Sequence, residues 1–127
     1  MISAKARKIF RILLVLYLIS ILVLCFANLS SLPDVSNTLF GIDIDKVAHF
    51  LMFLPFPALF FLSFEGKAYV LIGVGILAGL SVAGTTEWVQ SFLTYRSMDL
   101  ADFIADTIGL LSGALITGIA VALFRKK

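Results

Sequence analysis

The sequence predicts an all-α integral membrane protein, a bundle of four transmembrane helices with both termini in the cytoplasm. Three observations carry this. The 127 residues are 61% hydrophobic and 14% charged, whereas soluble domains have about 45–50% apolar and about 25% charged residues. The apolar residues collect in four stretches, each close to the roughly 20 residues that cross a bilayer core. The basic residues gather at one set of stretch ends, the bias that orients membrane helices. A soluble enzyme of this length could not hide so much apolar surface. The net charge of +2 is too mild for a nucleic-acid partner.

The single domain covers residues 1–127, with spans at about 9–27, 47–64, 68–93 and 103–124. Unpaired backbone groups are costly in lipid, so each span must be helical. The first follows a basic segment holding Lys5, Arg7, Lys8 and Arg11. It has the outline of a signal peptide, and the expectation is an uncleaved anchor. Cys25 lies inside it as a packing or lipid-facing residue; one cysteine makes no intrachain disulfide. Span two carries Pro55 and Pro57, each lacking a backbone donor, so a kink is expected there. Span three contains Gly75-x-x-x-Gly79 and span four Gly109-x-x-x-Gly113. Small residues at this spacing let helices approach closely, and packing within the chain is the expected use.

Orientation follows from the loops. With both termini cytoplasmic, only Lys46 and Arg96 of the ten basic residues fall outside, together with every acidic residue except Glu65. The Glu65–Lys67 turn is then cytoplasmic. The outer loops are Asn28–Lys46, with Pro33, Asp34 and Asn37, and Thr94–Asp102.

The ionisable residues converge on one layer. Glu87 follows Ala68 by nineteen residues, which is about 29 Å at a rise of about 1.5 Å per residue. His49 and Asp106 stand near the outer starts of spans two and four. Asp45 and His49 are four apart, Glu87 and Gln90 three apart, and Asp99, Asp102 and Asp106 follow at three and four. Each set shares a helical face. Charged groups in a membrane are expensive and usually face the protein interior or a water-filled cavity. Trp88 and Tyr95 fit an interfacial aromatic belt.

At these residues the sequence resembles the VanZ-like family. The matching pieces are Asp45-Lys46-Val47-Ala48-His49-Phe50, Thr86-Glu87-Trp88-Val89-Gln90-Ser91-Phe92, Arg96-Ser97-Met98-Asp99, and Asp102-Phe103-Ile104-Ala105-Asp106-Thr107-Ile108-Gly109 with Gly113. The family pattern carries asparagine where this chain has Asp106, so the layer here is more acidic. The resemblance implies a multi-pass protein of the bacterial inner (plasma) membrane. The family's namesake is associated with resistance to the glycopeptide teicoplanin, which implies a role in cell-envelope, lipid or resistance-related biology.

Three functions compete. A membrane enzyme on a lipid-linked or phospholipid substrate would use His49 and Glu87 as catalytic residues. A binding protein would hold a membrane lipid or lipid-linked envelope precursor with Asp45, Lys46, Gln90, Arg96, Asp99, Asp102 and Asp106 as its anchors. A small transporter or channel subunit is third, because polar groups are absent through the rest of the spans. No recognised metal-ligand spacing is present, and the sequence assigns neither metal nor cofactor. A homo-oligomer is compatible with the glycine motifs.

Overall fold

The computed structural model describes residues 2–28 and 38–125; Pro33, Asp34 and Asn37 lie outside the described residues. The chain runs α1 (Ala4–Phe26), β1 (Thr38–Leu39), β2 (Ile42–Asp43), α2 (Ile44–Phe53), α3 (Phe56–Ser63), α4 (Ala68–Gln90) and α5 (Leu100–Arg125). Among the described residues, four segments are long and apolar enough to cross a membrane: α1, α2 with α3, α4, and α5.

Each helix begins and ends for a local reason. The Ser3 side chain accepts the Ala6 amide at 3.2 Å and opens α1, which satisfies one of the free donors of the first turn. The expected kink is a break: α2 stops at Phe53 and α3 restarts at Phe56, flanking Pro55. Pro55 and Pro57 supply no N–H to the turn before them. Asp99 opens α5, its carboxylate accepting the Ala101 amide at 2.8 Å. Helix α5 therefore starts three residues before the expected Phe103, and α4 ends three residues before Leu93.

A feature absent from the sequence reading precedes α2. Thr38 pairs with Asp43 and Leu39 with Ile42 in an antiparallel hairpin. Its two turn residues, Phe40 (φ 54°) and Gly41 (φ 79°), both have positive φ, as the favoured two-residue hairpin turns require. Phe40 is 96% exposed at the tip.

Packing is by close backbone approach. Helix α5 lies against α2 and α4, while α3 contacts α1, α4 and α5. A Cβ on Gly109 would meet the Phe50 carbonyl, and one on Gly113 the Leu54 carbonyl. Gly75 faces the Phe60 side chain and Gly79 that of Leu110. Both glycine motifs thus serve packing within the chain. The core joins Leu14, Ile21 and Cys25 of α1 to Phe53, Phe56, Ala83 and Leu110. Ile, Leu and Val residues cover the outer surface of α1, α4 and α5, which costs nothing against lipid tails.

The two ends of the bundle differ chemically. At one end Arg7 pairs with Glu65 at 2.7 Å. There Arg11 donates to the Ser63 carbonyl at 2.9 Å and lies 5.8 Å from the centre of the Phe64 ring. A cavity of about 880 Å³ at this end is lined by Ile2, Arg7, Phe64, Lys67 and Phe124 among others. Among the described residues, the acidic side chains other than Glu65 stand at the opposite end.

Candidate functional site

Three helices deliver the inner layer of the acidic end. Helix α2 supplies His49, α4 supplies Glu87 and Gln90, and α5 supplies Asp102 and Asp106. Their exposures are 2%, 1%, 1%, 4% and 0% respectively. Glycine controls this convergence, because Gly109 and Gly113 let α5 approach α2 closely enough for Asp106 to reach His49. The Asp106 Oδ1 atom is 2.9 Å from His49 Nδ1. The other ring nitrogen, Nε2, is 3.6 Å from Asp102 Oδ2, longer than a hydrogen bond.

An outer layer ties the loops to the helices. Lys46 Nζ donates to Asp99 Oδ2 at 2.6 Å and to Asp102 Oδ1, and is 3.9 Å from Asp45. The Asp99 amide donates to Glu87 Oε2 at 2.9 Å, which fastens the α4–α5 loop to α4. Lys46 and the Ala101 amide together hold the Asp99 carboxyl below the usual carboxylate range. Arg96 stands at the rim, 3.9 Å from Asp45 Oδ1, and donates to the Leu24 carbonyl at 3.4 Å.

Helix α1 closes one wall, a contribution the sequence reading missed. Gln90 donates to the Cys25 carbonyl at 2.7 Å, and the Tyr95 hydroxyl donates to the Phe26 carbonyl at 2.8 Å. Cys25 is buried. Tyr17 packs its ring against Phe56 at 6.3 Å between centroids, its hydroxyl buried without a partner among the described residues. Its place in an unbroken apolar run gives no signal of this. Trp88 is exposed and edge-on to Phe92 at 5.2 Å.

All nine sequence-selected residues stand at this end, in two tiers. His49, Glu87, Gln90, Asp102 and Asp106 are buried; Asp45, Lys46, Arg96 and Asp99 rim them. The cavity of about 880 Å³ is at the other end. Satisfaction within the inner tier is incomplete. Glu87 Oε1, Gln90 Oε1 and Asp106 Oδ2 are buried with no hydrogen-bond partner among the described residues.

A family model described as VanZ/LLP1 matches residues 10–121. The chain belongs to the VanZ/LLP1 family. The match takes in all four membrane segments and both tiers of the polar cluster. This VanZ/LLP1 chain is thus a multi-pass membrane protein with a polar cluster at one end. A fission yeast relative, the uncharacterized protein C11E3.10 of Schizosaccharomyces pombe, is 36% identical over 70 residues. That alignment covers 51% of this chain and 41% of the yeast protein, so the chain spans less than half the length of this relative. No solved structure matches the chain.

Proposed function

We propose that this protein recognises the polar headgroup of a membrane lipid or lipid-linked envelope precursor at the extracytoplasmic face, in a bacterial inner membrane. The observation that carries the reading is the set of unpartnered buried oxygens on Glu87, Gln90 and Asp106. A cluster serving only to glue helices together is expected to satisfy its members, since each buried polar group left unpaired costs about 1–3 kcal/mol. Groups kept buried and unmatched are a common mark of function. Arg96 and Lys46 at the rim offer donors for a phosphate, and hydroxyls of a headgroup can donate to the free oxygens.

The orientation rests on the charge bias. The end with Lys5, Arg7, Lys8, Arg11 and Lys67 faces the cytoplasm under the positive-inside rule, which puts the acidic end outside. The association of the family's namesake with teicoplanin resistance fits a ligand presented on that side.

A second reading, catalysis on the same headgroup, is favoured by one geometric detail. The 2.9 Å contact between His49 Nδ1 and Asp106 is the arrangement that orients an imidazole as a general base. In this reading His49 Nε2 takes the proton of an attacking water or hydroxyl, and Glu87 helps place the substrate.

Mass spectrometry of lipids that co-purify with the protein in mild detergent tests the binding reading. A phosphorylated or polyprenyl lipid enriched on the wild type and lost from Glu87→Gln and His49→Ala is expected. Bulk phospholipid alone, identical in all three, contradicts it.

A further inference from the structure

We propose that His49, Glu87 and Asp106 form a site for one divalent transition-metal ion of the zinc class, held between α2, α4 and α5. One ligand atom from each residue lies within 4.8 Å of the others, and all three residues are buried. Ligand atoms at about 2.0–2.2 Å from a tetrahedral zinc stand about 3.3–3.6 Å apart, so side-chain rotations that move the ligand atoms by up to about an ångström close the set.

The independent observation is the pair of orphaned oxygens. Glu87 Oε1 and Asp106 Oδ2 are buried without a partner among the described residues, on side chains that are 1% and 0% exposed. When both carboxyls are ionised and His49 is neutral, the three residues carry two negative charges. The nearby ammonium does not cancel them, because Lys46 is engaged by Asp99 and Asp102. A protonated His49 removes one charge at most. Uncompensated charges in a low-dielectric interior are strongly destabilising, and one divalent cation cancels both.

The chemistry of the donors narrows the ion. One imidazole with two carboxylates suits zinc, manganese or iron. Magnesium prefers oxygen donors and retained waters, for which a buried site with an imidazole is poor. Three protein ligands leave a fourth position open, as in catalytic rather than structural zinc sites. That position suits a water or a phosphate oxygen. A second trio, Asp45, His49 and Asp102, is the weaker candidate, because Asp102 already holds Lys46 and Asp45 is exposed. A cation on a histidine–carboxylate cluster was compatible with the sequence, but neither set has a recognised ligand spacing, its members being spread over α2, α4 and α5 or over α2 and α5.

Detergent-purified full-length protein, stripped with EDTA, is titrated with Zn²⁺, Mn²⁺ and Mg²⁺. Bound metal per chain is measured after gel filtration, and Co²⁺ is added separately to record its ligand-field bands. About one equivalent of Zn²⁺ or Mn²⁺, a rise in melting temperature on binding, and little Mg²⁺ are expected. Glu87→Gln and Asp106→Asn should each weaken binding at least tenfold, while Asp43→Asn, an exposed acid at the same end, should not. No stoichiometric metal on folded wild type, or equal binding by Glu87→Gln and Asp106→Asn, overturns the site. Should the variants fail to fold, wild-type stoichiometry and the cobalt spectrum decide. The lipid reading is scored on co-purified lipid, so either proposal can fail without the other.

Discussion

Asp99 shows how one side chain joins tertiary structure to the site. Its Oδ1 caps α5, its Oδ2 takes Lys46, and its amide holds Glu87. Replacing it with Ala removes the cap and the ion pair, and a loss of about 1 kcal/mol is expected from the cap alone. Asp99→Asn keeps a capping oxygen and should lose less; thermal unfolding in detergent measures both. The pH dependence follows from the lowered carboxyl. A carboxylate depressed in the folded state contributes stability above its unfolded value, about 3.9, and loses it as pH falls through the lower folded value. The clamp should therefore hold at pH 5 and weaken only below about pH 4, and Asp99→Asn should flatten that acid limb. At this scale the sequence was legible in depth but not in pairing. Counting residues along each span placed His49, Glu87 and Asp106 in one layer. It could not say that Lys46 serves Asp99 and Asp102, nor that Tyr17 and Cys25 form a wall, because apolar neighbours hide them.

Among the helices, glycine decides which surfaces meet. A Cβ at Gly113 would run into the Leu54 carbonyl, a backbone atom beside the Pro55 break. Gly113→Ala should cost about 1–3 kcal/mol, the usual range for overpacking, and should loosen His49 from Asp106. At Gly118 a Cβ meets nothing within 4 Å. Gly118→Ala should be neutral or stabilise by up to about 1 kcal/mol, from helix propensity alone. Similar losses at both sites would contradict this packing. The motif spacing foretold close approach, and the structure supplies the partner: α2 at its proline break. The hairpin before α2 was illegible, since its strands are two residues each and Phe40 is a rare occupant of a positive-φ turn position.

For the whole molecule, the opposed character of the two ends supports the proposed topology, with both termini in the cytoplasm. The arrangement predicts that Ser97→Cys, in the exposed α4–α5 loop, reacts with a membrane-impermeant thiol reagent in intact cells. Ala4→Cys should react only after permeabilisation, with buried Cys25 giving little background. The reverse pattern would put the acidic layer in the cytoplasm and remove the extracytoplasmic headgroup from consideration. Composition alone dictated the class of fold, because so apolar a chain has few other solutions. The arrangement of five helices in four spans depended on Pro55, Pro57 and the glycines, whose partners are distant in sequence.

The central claim is that the buried polar layer is kept for a ligand rather than for stability. Measuring melting temperature and co-purified lipid side by side for wild type and Glu87→Gln tests it most directly. The account predicts that Glu87→Gln, relieved of a buried carboxylate with an unmatched oxygen, melts at or above the wild-type temperature while its specific lipid is lost. A marked fall in melting temperature with lipid retention unchanged would show that the layer is structural glue.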